Sequence, residues 1–251
     1  MGDLVKLERQ GGIATITLDS QHNRNALSRQ LLHELNEALE ESETARVIVL
    51  RHEGPAFCSG ADLKERSDPN APPDSRPMVD ALERLMDSPC PTIAAVEGAV
   101  RAGGVGLVAA CDLSVVAPPV TFALTEVRIG VAAAVISVPI LRRVSPAKIA
   151  VPMLTGEPFD TGFAHEIGLV THVSDDVPGT VDMLCDAVMV GAPRAIAATK
   201  RLLRVVPTLD RNTAFAEMRA LSDELFRGAD AAEGMAAFRE KRTPVWPTLS
   251  T

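Results

Sequence analysis

The chain has few of the residues that bind nucleic acid. Aromatic residues make up 3% of its 251 residues, with one tryptophan and no tyrosine, so platforms that stack single-stranded bases are not expected. Acidic residues outnumber basic residues, 33 to 25, and the formal net charge is −8. A surface that binds the phosphate backbone carries an excess of positive charge. Composition and charge together argue against a nucleic-acid partner, although a local basic patch could hold one small anion.

Long apolar runs and targeting patterns are also missing. No apolar run reaches the roughly 18 residues that a membrane-spanning helix requires, and the first residues lack the basic start and apolar stretch of a signal peptide. Hydrophobic residues nevertheless make up 46% of the chain, which is enough for a sizeable globular core. We therefore expect a protein without a membrane span and with a cytoplasmic location.

Metal-binding and nucleophile motifs are absent as well. The four cysteines form no C-x-x-C pair and the five histidines form no H-x-x-x-H pair, so a zinc site is not expected. The sequence contains neither a P-loop nor a G-x-S-x-G nucleophile elbow. We expect no bound metal and no separate cofactor.

Alternating strand and helix patterns are present instead. The segment 4–8 and the β-branched segment 13–18 flank Gly11-Gly12 and predict a hairpin. Apolar residues recur at helical spacing around and after Ser28, which is suited to cap a helix. From about Pro139 helices predominate, so the patterns predict a mixed α/β core over residues 1–195 and a helical region over residues 196–251. The predicted strands cover residues 4–8, 13–18, 46–51, 92–96 and 112–117, and the main predicted helices cover residues 27–39, 81–86, 193–204, 212–226 and 231–241.

A glycine-rich segment offers one alternative. The run Gly104-Val105-Gly106-Leu107-Val108-Ala109 matches the G-x-G-x-x-A fingerprint of dinucleotide sites, and Glu126 lies about twenty residues further on. However, a new strand is predicted from Asp112, which leaves too few residues for the crossover helix that such a site requires. We therefore disfavour a nicotinamide cofactor.

Two short segments combine small residues with uncovered backbone amides. The first covers residues 55–64 after a predicted strand, and the second, Arg101-Ala102-Gly103-Gly104, begins a short helix. Small side chains leave N–H groups accessible, and the N-terminus of a helix favours anions. Two such donors facing one another would form an oxyanion hole for a thioester enolate. Tight turns packed against a core would explain either segment alone equally well.

A resemblance to a known family runs along nearly the whole chain. The crotonase (enoyl-CoA hydratase/isomerase) superfamily carries an A-F-[CS]-[AS]-G-A-D-L motif, which resembles Ala56-Phe57-Cys58-Ser59-Gly60-Ala61-Asp62-Leu63 here. Segments 103–112 and 123–127 look most like the methylglutaconyl-CoA hydratase-like bacterial branch of this superfamily. Further similarities follow in order at residues 23–27, 92–98, 122–130, 154–156, 167–170 and 233–242.

The resemblance implies a fold, a substrate and a set of binding residues. It implies repeated ββα units wound into a spiral, C-terminal helices that form a homotrimer or a hexamer (dimer of trimers), and a coenzyme A thioester as substrate. The backbone N–H groups of Ala61 and Gly103 would bind the thioester oxygen. The other residues that the resemblance places along coenzyme A are Arg24, Asp62, Leu63, Lys64, Gly104, Phe238 and Lys241, of which the last two could come from a neighbouring subunit.

The catalytic acids depart from the family pattern. Hydratases of this family usually carry two glutamates; Glu126 matches the second, whereas Gly106 stands at the position of the first. Glu97 and Arg101 are unusual neighbours, which we interpret as surface or turn residues. Residues 130–137 also differ from the Pro-Gly-x-Gly-Gly turn of many relatives, which changes the expected wall of the acyl pocket.

Three functions remain open on these residues. The leading interpretation is a lyase that adds water across the 2,3-double bond of an enoyl-CoA, with Glu126 handling the proton. An enoyl-CoA isomerase would use the same single acid without water. A catalytically silent acyl-CoA-binding homologue is the third possibility, and Gly106 favours it. Product mass separates the three, since hydration adds the mass of water, isomerisation adds none, and a binding protein changes nothing.

Overall fold

The computed structural model describes residues 3–67 and 72–246, and within them strands and helices alternate along the chain. The strands are β1 (Val5–Gln10), β2 (Ile13–Leu18), β3 (Val47–His52), β4 (Ala56–Cys58), β5 (Thr92–Val96), β6 (Ala99–Arg101), β7 (Leu113–Val116), β8 (Thr121–Ala123), β9 (Phe159–Asp160) and β10 (His172–Val173). The helices are α1 (Arg29–Glu41), α2 (Leu63–Arg66), α3 (Arg76–Asp87), α4 (Gly103–Ala110), α5 (Ala134–Arg143), α6 (Pro146–Thr155), α7 (Thr161–Glu166), α8 (Val177–Met189), α9 (Pro193–Val205), α10 (Arg211–Arg227) and α11 (Ala229–Glu240). None of the helices in these ranges is long and apolar enough to span a membrane.

The strands form two sheets, with the order β1-β2-β3-β5-β7-β10 in one and β4-β6-β8-β9 in the other. Neighbouring strands are parallel except in the β1–β2 hairpin and the β8–β9 pair. The pairs β3–β4, β5–β6 and β7–β8 each place their first strand in the six-stranded sheet and their second in the four-stranded sheet, and a helix follows each pair. This repeated ββα unit confirms the predicted α/β fold class.

Burial explains why the longer elements form where their patterns predict them. The first four residues of β3, 47–50, are all buried, as is usual for parallel strands that are covered on both faces. In α1 the buried residues recur at helical spacing, and the Ser28 hydroxyl caps the helix by accepting a hydrogen bond from the Leu31 N–H at 3.2 Å. The predicted hairpin is present as β1 and β2.

The sequence patterns do not predict the four-stranded sheet. Strands β4, β6 and β8 have three residues each, and β9 has two. A strand of that length contains too little alternation to be recognised from hydrophobic periodicity. Pairing with neighbouring strands therefore defines these short strands, and two of them lead into the two small-residue segments.

The predicted helical region over residues 196–251 is joined to the core through α9. The predicted boundary falls inside this helix, which begins at Pro193. Lys200 of α9 is buried; its ammonium group donates a hydrogen bond to the Leu85 carbonyl oxygen at 3.0 Å and pairs with the Asp112 carboxylate at 2.7 Å. Within one chain, α9 is thus tied to the core, whereas α10 and α11 pack on each other.

Helix α4 is packed so closely that Gly106 has no room for a side chain. Seven of its eight residues are buried. A Cβ added at Gly106 would lie 2.5 Å from Cγ2 and 2.7 Å from Cβ of the buried Ile136 on α5. Carbon atoms in good contact are about 3.5–4.0 Å apart. Glycine at this position therefore allows the two helices to approach each other.

Gly106→Ala is expected to destabilise the protein, although the same change in an exposed helix usually stabilises it by about 1 kcal/mol. The added methyl group would overpack against Ile136, which typically costs roughly 1–3 kcal/mol. Urea unfolding measures this difference. Because Ile136→Ala removes the nearest methyl group, the double variant should lose less stability than the two single changes added together. Strict additivity, or a gain in stability from Gly106→Ala alone, would show that the helices have spare room here.

Candidate active site

The two small-residue segments follow neighbouring strands of the four-stranded sheet. Strands β4 and β6 are parallel neighbours, so their carboxyl ends lie at the same edge of the sheet. The first loop (residues 59–62) leaves β4, and the second loop (residues 101–104) leads from the end of β6 into the start of α4. The fold thereby brings together two segments that are distant in the sequence.

The first loop and the second loop contact each other through their backbones. Gly60 has a φ of +96°, and a Cβ at this position would lie 2.9 Å from Cβ of Ala102. A Cβ on Gly104 would lie 2.7 Å from Cβ of Cys58. Larger side chains at these positions would push the loops apart, which explains why both segments consist of small residues.

Two backbone N–H groups where the loops meet have no hydrogen-bond acceptor among the described residues. The chain around Ala61 pairs with Leu27, whose N–H donates to the Gly60 carbonyl oxygen at 2.8 Å. The Ala61 N–H takes no part in this pairing, and Ala61 is exposed. Gly103 is the first residue of α4, and N–H groups in the first turn of a helix have no acceptor within that helix. These are the two amides that the sequence predicts as oxyanion donors.

The residue before Gly103 holds a strained backbone conformation. Ala102 has a φ of 48° and a ψ of −116°, a region that residues with a side chain rarely occupy. The Ala102 N–H donates to the Ala123 carbonyl oxygen at 2.8 Å, and the Val105 N–H donates to the Ala102 carbonyl oxygen at 2.9 Å. Strain of this kind costs roughly 1–3 kcal/mol and is held by the surrounding contacts. It sets the direction in which the Gly103 N–H points.

Glu126 follows the strand that neighbours the second loop. Strand β8 pairs with β6, with Ala123 opposite Arg101, and Glu126 comes next in a 3₁₀ turn over Thr125–Ile129. The side chain is half-buried, and its Oε2 atom has no hydrogen-bond partner among the described residues. Burial raises the pKa of this carboxyl group above its ordinary value. An unpaired carboxyl group with a raised pKa is suited to accept and return a proton.

The position at which the crotonase pattern has its first glutamate carries an apolar contact instead. Gly106 lies directly against Ile136 of α5, so the isoleucine occupies the space into which a side chain from this position would extend. Gly106→Glu would have to displace Ile136 from the core. Among the predicted catalytic residues, Glu126 is therefore the one whose side chain can carry a proton.

Glu97 and Arg101 do not replace the missing acid. Glu97 is exposed, and its backbone N–H donates to Nε2 of His52 at 3.1 Å. The Arg101 guanidinium donates hydrogen bonds to the carbonyl oxygen and the hydroxyl group of Thr121, and it thereby fastens β6 to β8. Glu97 therefore has the surface role that the sequence predicts. The same prediction is wrong for Arg101, which is the half-buried last residue of β6 and links two strands.

The first loop continues into α2 with residues predicted to lie along coenzyme A. The Oδ1 atom of Asp62 caps α2 by accepting hydrogen bonds from the Lys64 N–H at 3.0 Å and the Glu65 N–H at 3.3 Å. Leu63 and Lys64 are exposed. Their side chains are accessible to a ligand, whereas the Asp62 carboxylate is occupied in holding the short helix.

Arg24 lies next to the first loop. Its carbonyl oxygen accepts a hydrogen bond from the Ser59 N–H at 3.1 Å, and the residue is exposed. The neighbouring Asn25 is buried, and its amide group donates to the carbonyl oxygens of Glu53 and Ala56 at 3.0 and 2.8 Å. Asn25 therefore fastens this segment to β4, a positioning role that sequence patterns do not single out. The signal in the sequence that could have indicated this role is the place of Asn25 directly after Arg24, which is predicted to lie along coenzyme A.

The C-terminal residues predicted for the nucleotide side lie on the last helix. Phe238 is 87% exposed on α11, and Lys241 is exposed at the end of that helix with a φ of 53°. Helix α11 packs against α10. Within one chain, the α10–α11 pair therefore sets the placement of these two residues, whereas the paired strands set the placement of the two loops and Glu126.

Comparison with known proteins gives matches along almost the whole chain. The family model for enoyl-CoA hydratase/isomerase matches residues 8–248. The mitochondrial enoyl-CoA hydratase domain-containing protein 3 of Danio rerio is 34% identical over 97% of this chain and 87% of its own length. The crystal structure of an enoyl-CoA hydratase from Mycobacterium avium is 41% identical and has a TM-score of 0.74. The match covers 97% of this chain and 99% of that chain. The enoyl-CoA hydratase of Mycobacterium smegmatis has a TM-score of 0.89 at 30% identity, with coverage of 97% of this chain and 98% of that chain.

These matches identify the fold and the family rather than the reaction. They extend over both sheets and over the helices that follow them, and they include proteins of bacteria and of a vertebrate. The chain belongs to the enoyl-CoA hydratase/isomerase family of the crotonase superfamily.

Proposed function

We propose that this protein adds water across the 2,3-double bond of an enoyl-CoA thioester. The observation that carries the proposal is the half-buried carboxyl group of Glu126, whose Oε2 atom has no partner among the described residues. Strand pairing places its turn beside the second loop. A carboxyl group on this turn and two backbone amides without an acceptor are the parts needed for proton transfer beside a polarised carbonyl group. The names of several relatives refer to the same hydratase class.

In the proposed reaction, the amides of Ala61 and Gly103 bind the thioester carbonyl oxygen. As water adds to C3, the electron pair of the double bond moves toward the thioester, and the two N–H groups stabilise the negative charge that develops on the oxygen. The Glu126 carboxylate takes one proton from the attacking water and then delivers a proton to C2. One water is consumed and no net proton is released. The raised pKa of Glu126 supports both steps, because a desolvated carboxylate holds a proton more strongly.

Isomerisation is the second candidate, and the contact between Gly106 and Ile136 favours it. A single carboxylate can take a proton from C2 of a 3-enoyl thioester and return it at C4, with no water involved. The first glutamate of the two-glutamate pattern is missing here, and the apolar side chain of Ile136, which fills its space, offers no hydrogen bond to an attacking water. The same oxyanion donors would serve both reactions, since both pass through an enolate of the thioester.

A panel of enoyl-CoA thioesters with the double bond at C2 or at C3 distinguishes the candidates. Hydration removes the conjugation of a 2-enoyl thioester and adds the mass of one water. Isomerisation creates conjugation from a 3-enoyl thioester at constant mass. Binding without either change would indicate a silent acyl-CoA-binding protein. The proposed steps use only this chain's own groups and the substrate, and we propose no separate cofactor.

We propose that the coenzyme A portion of the substrate lies along the first loop and α2. Leu63 and Lys64 are exposed there, and Arg24 presents a further exposed cation on the adjoining segment. The 3′-phosphate of coenzyme A requires cationic partners. Phe238 and Lys241, both exposed on α11, would complete the nucleotide side from the C-terminal helices, which a neighbouring subunit could supply.

We also propose that the chain forms a homotrimer, or a hexamer of two trimers, through its C-terminal helices. Helix α10 has no buried residue in one chain, and its large apolar side chains Phe215 and Phe226 are 71% and 70% exposed. A cavity of about 550 Å³ adjoins this helix and is lined by Phe226, Met235 and Trp246 among others. Exposed apolar surface of this kind marks an interaction site.

We also propose a cytoplasmic location, although the Danio rerio relative is named as mitochondrial.

Glu126→Gln is expected to lower kcat on the order of 10²–10⁴-fold, the usual contribution of a positioned acid–base group. Glutamine keeps the shape of the side chain but cannot accept a proton at neutral pH, so the Kd for acyl-CoA should change little. Steady-state kinetics and ligand titration measure both quantities. Glu83→Gln, at an exposed position of α3, is the matched control and should keep parent turnover. Near-full turnover by Glu126→Gln would assign the proton transfer to another group.

The same assignment predicts the pH dependence of kcat/KM and of stability. Because the carboxylate form is the base and burial raises its pKa, activity should rise with pH through a limb that lies above 4.5, the ordinary value. Ionised Glu126 lowers the free energy of unfolding above that pH, since the folded state binds the proton more tightly than the unfolded state. Glu126→Gln should therefore be at least as stable as the parent at neutral pH in thermal unfolding. An acidic limb at or below pH 4.5 would contradict the assignment.

Lys241→Glu is expected to raise the KM for a CoA thioester, while kcat changes less. The 3′-phosphate would lose a cation and meet a like charge. The same variant should act normally on a pantetheine thioester, which lacks the nucleotide. Arg239→Glu, also exposed on α11, is the matched control for the charge change. If both variants show equal kinetics with the CoA thioester, Lys241 does not contact the nucleotide.

Light scattering of the full chain is expected to give three or six times the mass of one chain. Phe226→Asp places a charge in the lining of the apolar cavity and should shift the mass toward that of a single chain, because burying an unpaired charge opposes association. A stable, monodisperse monomer for the parent chain would refute the proposed assembly.

A further inference from the structure

The Cys58 thiol is buried beneath the site and takes no part in the proposed proton transfer. Cys58 is the last residue of β4, and 0% of its surface is exposed. Burial raises the pKa of this thiol to about 12, so the sulfur is protonated at physiological pH and is not a nucleophile. Its contacts, rather than its reactivity, indicate what it does.

The sulfur contacts the first loop and the second loop at once. The Gly60 N–H donates a hydrogen bond to Sγ at 3.4 Å, and Gly104 packs against the sulfur on its other side. The approach on this second side is close, because Sγ lies 3.2 Å from the place where a Cβ of Gly104 would stand. Sulfur is a weak acceptor but a large and polarisable atom, so it can accept a hydrogen bond from one loop while it packs against the other.

Each of these two glycines lies beside one of the proposed oxyanion donors. Gly60 directly precedes Ala61, and Gly104 directly follows Gly103. A shift of Gly60 would therefore turn the peptide unit that carries the Ala61 N–H. A shift of Gly104 would move the peptide unit that adjoins the Gly103 N–H. Both loops also hold backbone conformations with positive φ, at Gly60 and at the strained Ala102, and strained conformations persist only where neighbouring contacts hold them.

We propose that Cys58 is a positioning residue, whose sulfur sets the distance and direction between the Ala61 and Gly103 amides. The inference rests on the proposed function, in which these amides bind the thioester oxygen. Removing one oxyanion donor altogether costs about 10²–10³-fold in kcat. Without the sulfur both donors remain but are less well aligned, so we expect a smaller loss of roughly tenfold. The loss should fall on kcat more than on KM, because the oxygen carries more negative charge in the transition state than in the bound substrate.

Cys58→Ala and Cys58→Ser test this role in the full chain, on the thioester that the parent converts. The alanine variant removes the acceptor and should lose roughly tenfold in kcat, whereas the serine variant keeps a smaller acceptor and should recover part of it. Cys111→Ala is the matched control, because Cys111 is also buried, lies at the other end of α4, and has its pKa raised by burial to about 12. The two alanine variants should lose thermal stability to a similar extent, and Cys58→Ala alone should lose kcat.

Hydrogen–deuterium exchange of the ligand-free protein gives a measurement that does not depend on turnover. Cys58→Ala should speed exchange in residues 59–62 and in residues 101–104, and Cys111→Ala should leave both loops unchanged. Parent kcat in Cys58→Ala, or a kcat loss that tracks stability in both alanine variants, would overturn the proposal. Faster exchange confined to the first loop would overturn it as well. If the parent converts no thioester, the proposed function fails, and the exchange pattern still decides whether the sulfur links the loops.

Discussion

The close approach of two loop backbones is the constraint on which the site depends. A Cβ at Gly60 would lie 2.9 Å from Cβ of Ala102, and a Cβ at Gly104 would lie 2.7 Å from Cβ of Cys58. The two segments can therefore meet only where side chains are small. Parallel pairing of β4 with β6 makes the contact possible, because both strands end at the same edge of the sheet. The two amides without an acceptor, the strained alanine and the buried thiol all lie at this contact. Small residues in both loops are therefore required by the geometry.

A second close contact, between Gly106 and Ile136, shapes the acid–base chemistry. The space that a first glutamate would need holds an isoleucine side chain, and α4 and α5 pack more tightly as a result. The remaining carboxyl group, on Glu126, is half-buried and has one unpaired oxygen. A one-carboxylate site must use the same group to take up and to return the proton, and its raised pKa suits that double task. Packing and reaction type are thus coupled at position 106.

Sequence patterns anticipate the longer elements and part of the site. The hairpin, the Ser28-capped α1 and the buried β3 each contain enough residues for a burial period to show. The strands of the four-stranded sheet do not, since they have two or three residues each. Motif resemblance locates the two loops and Glu126. It does not reveal the positioning role of Asn25, because a buried polar side chain is explained by its partners, and those partners lie elsewhere in the chain.

The amino-acid sequence by itself determined the family, the order of the main strands and helices, and the small residues that allow two backbones to meet. Only the tertiary structure decided that Ile136 fills the space beside Gly106, that the Cys58 sulfur contacts both loops, and that Lys200 binds α9 to the core. Local structure follows from spacing along the chain, which a sequence displays directly. Contacts between distant segments follow from the order in which strands join two sheets, and no local pattern specifies that order.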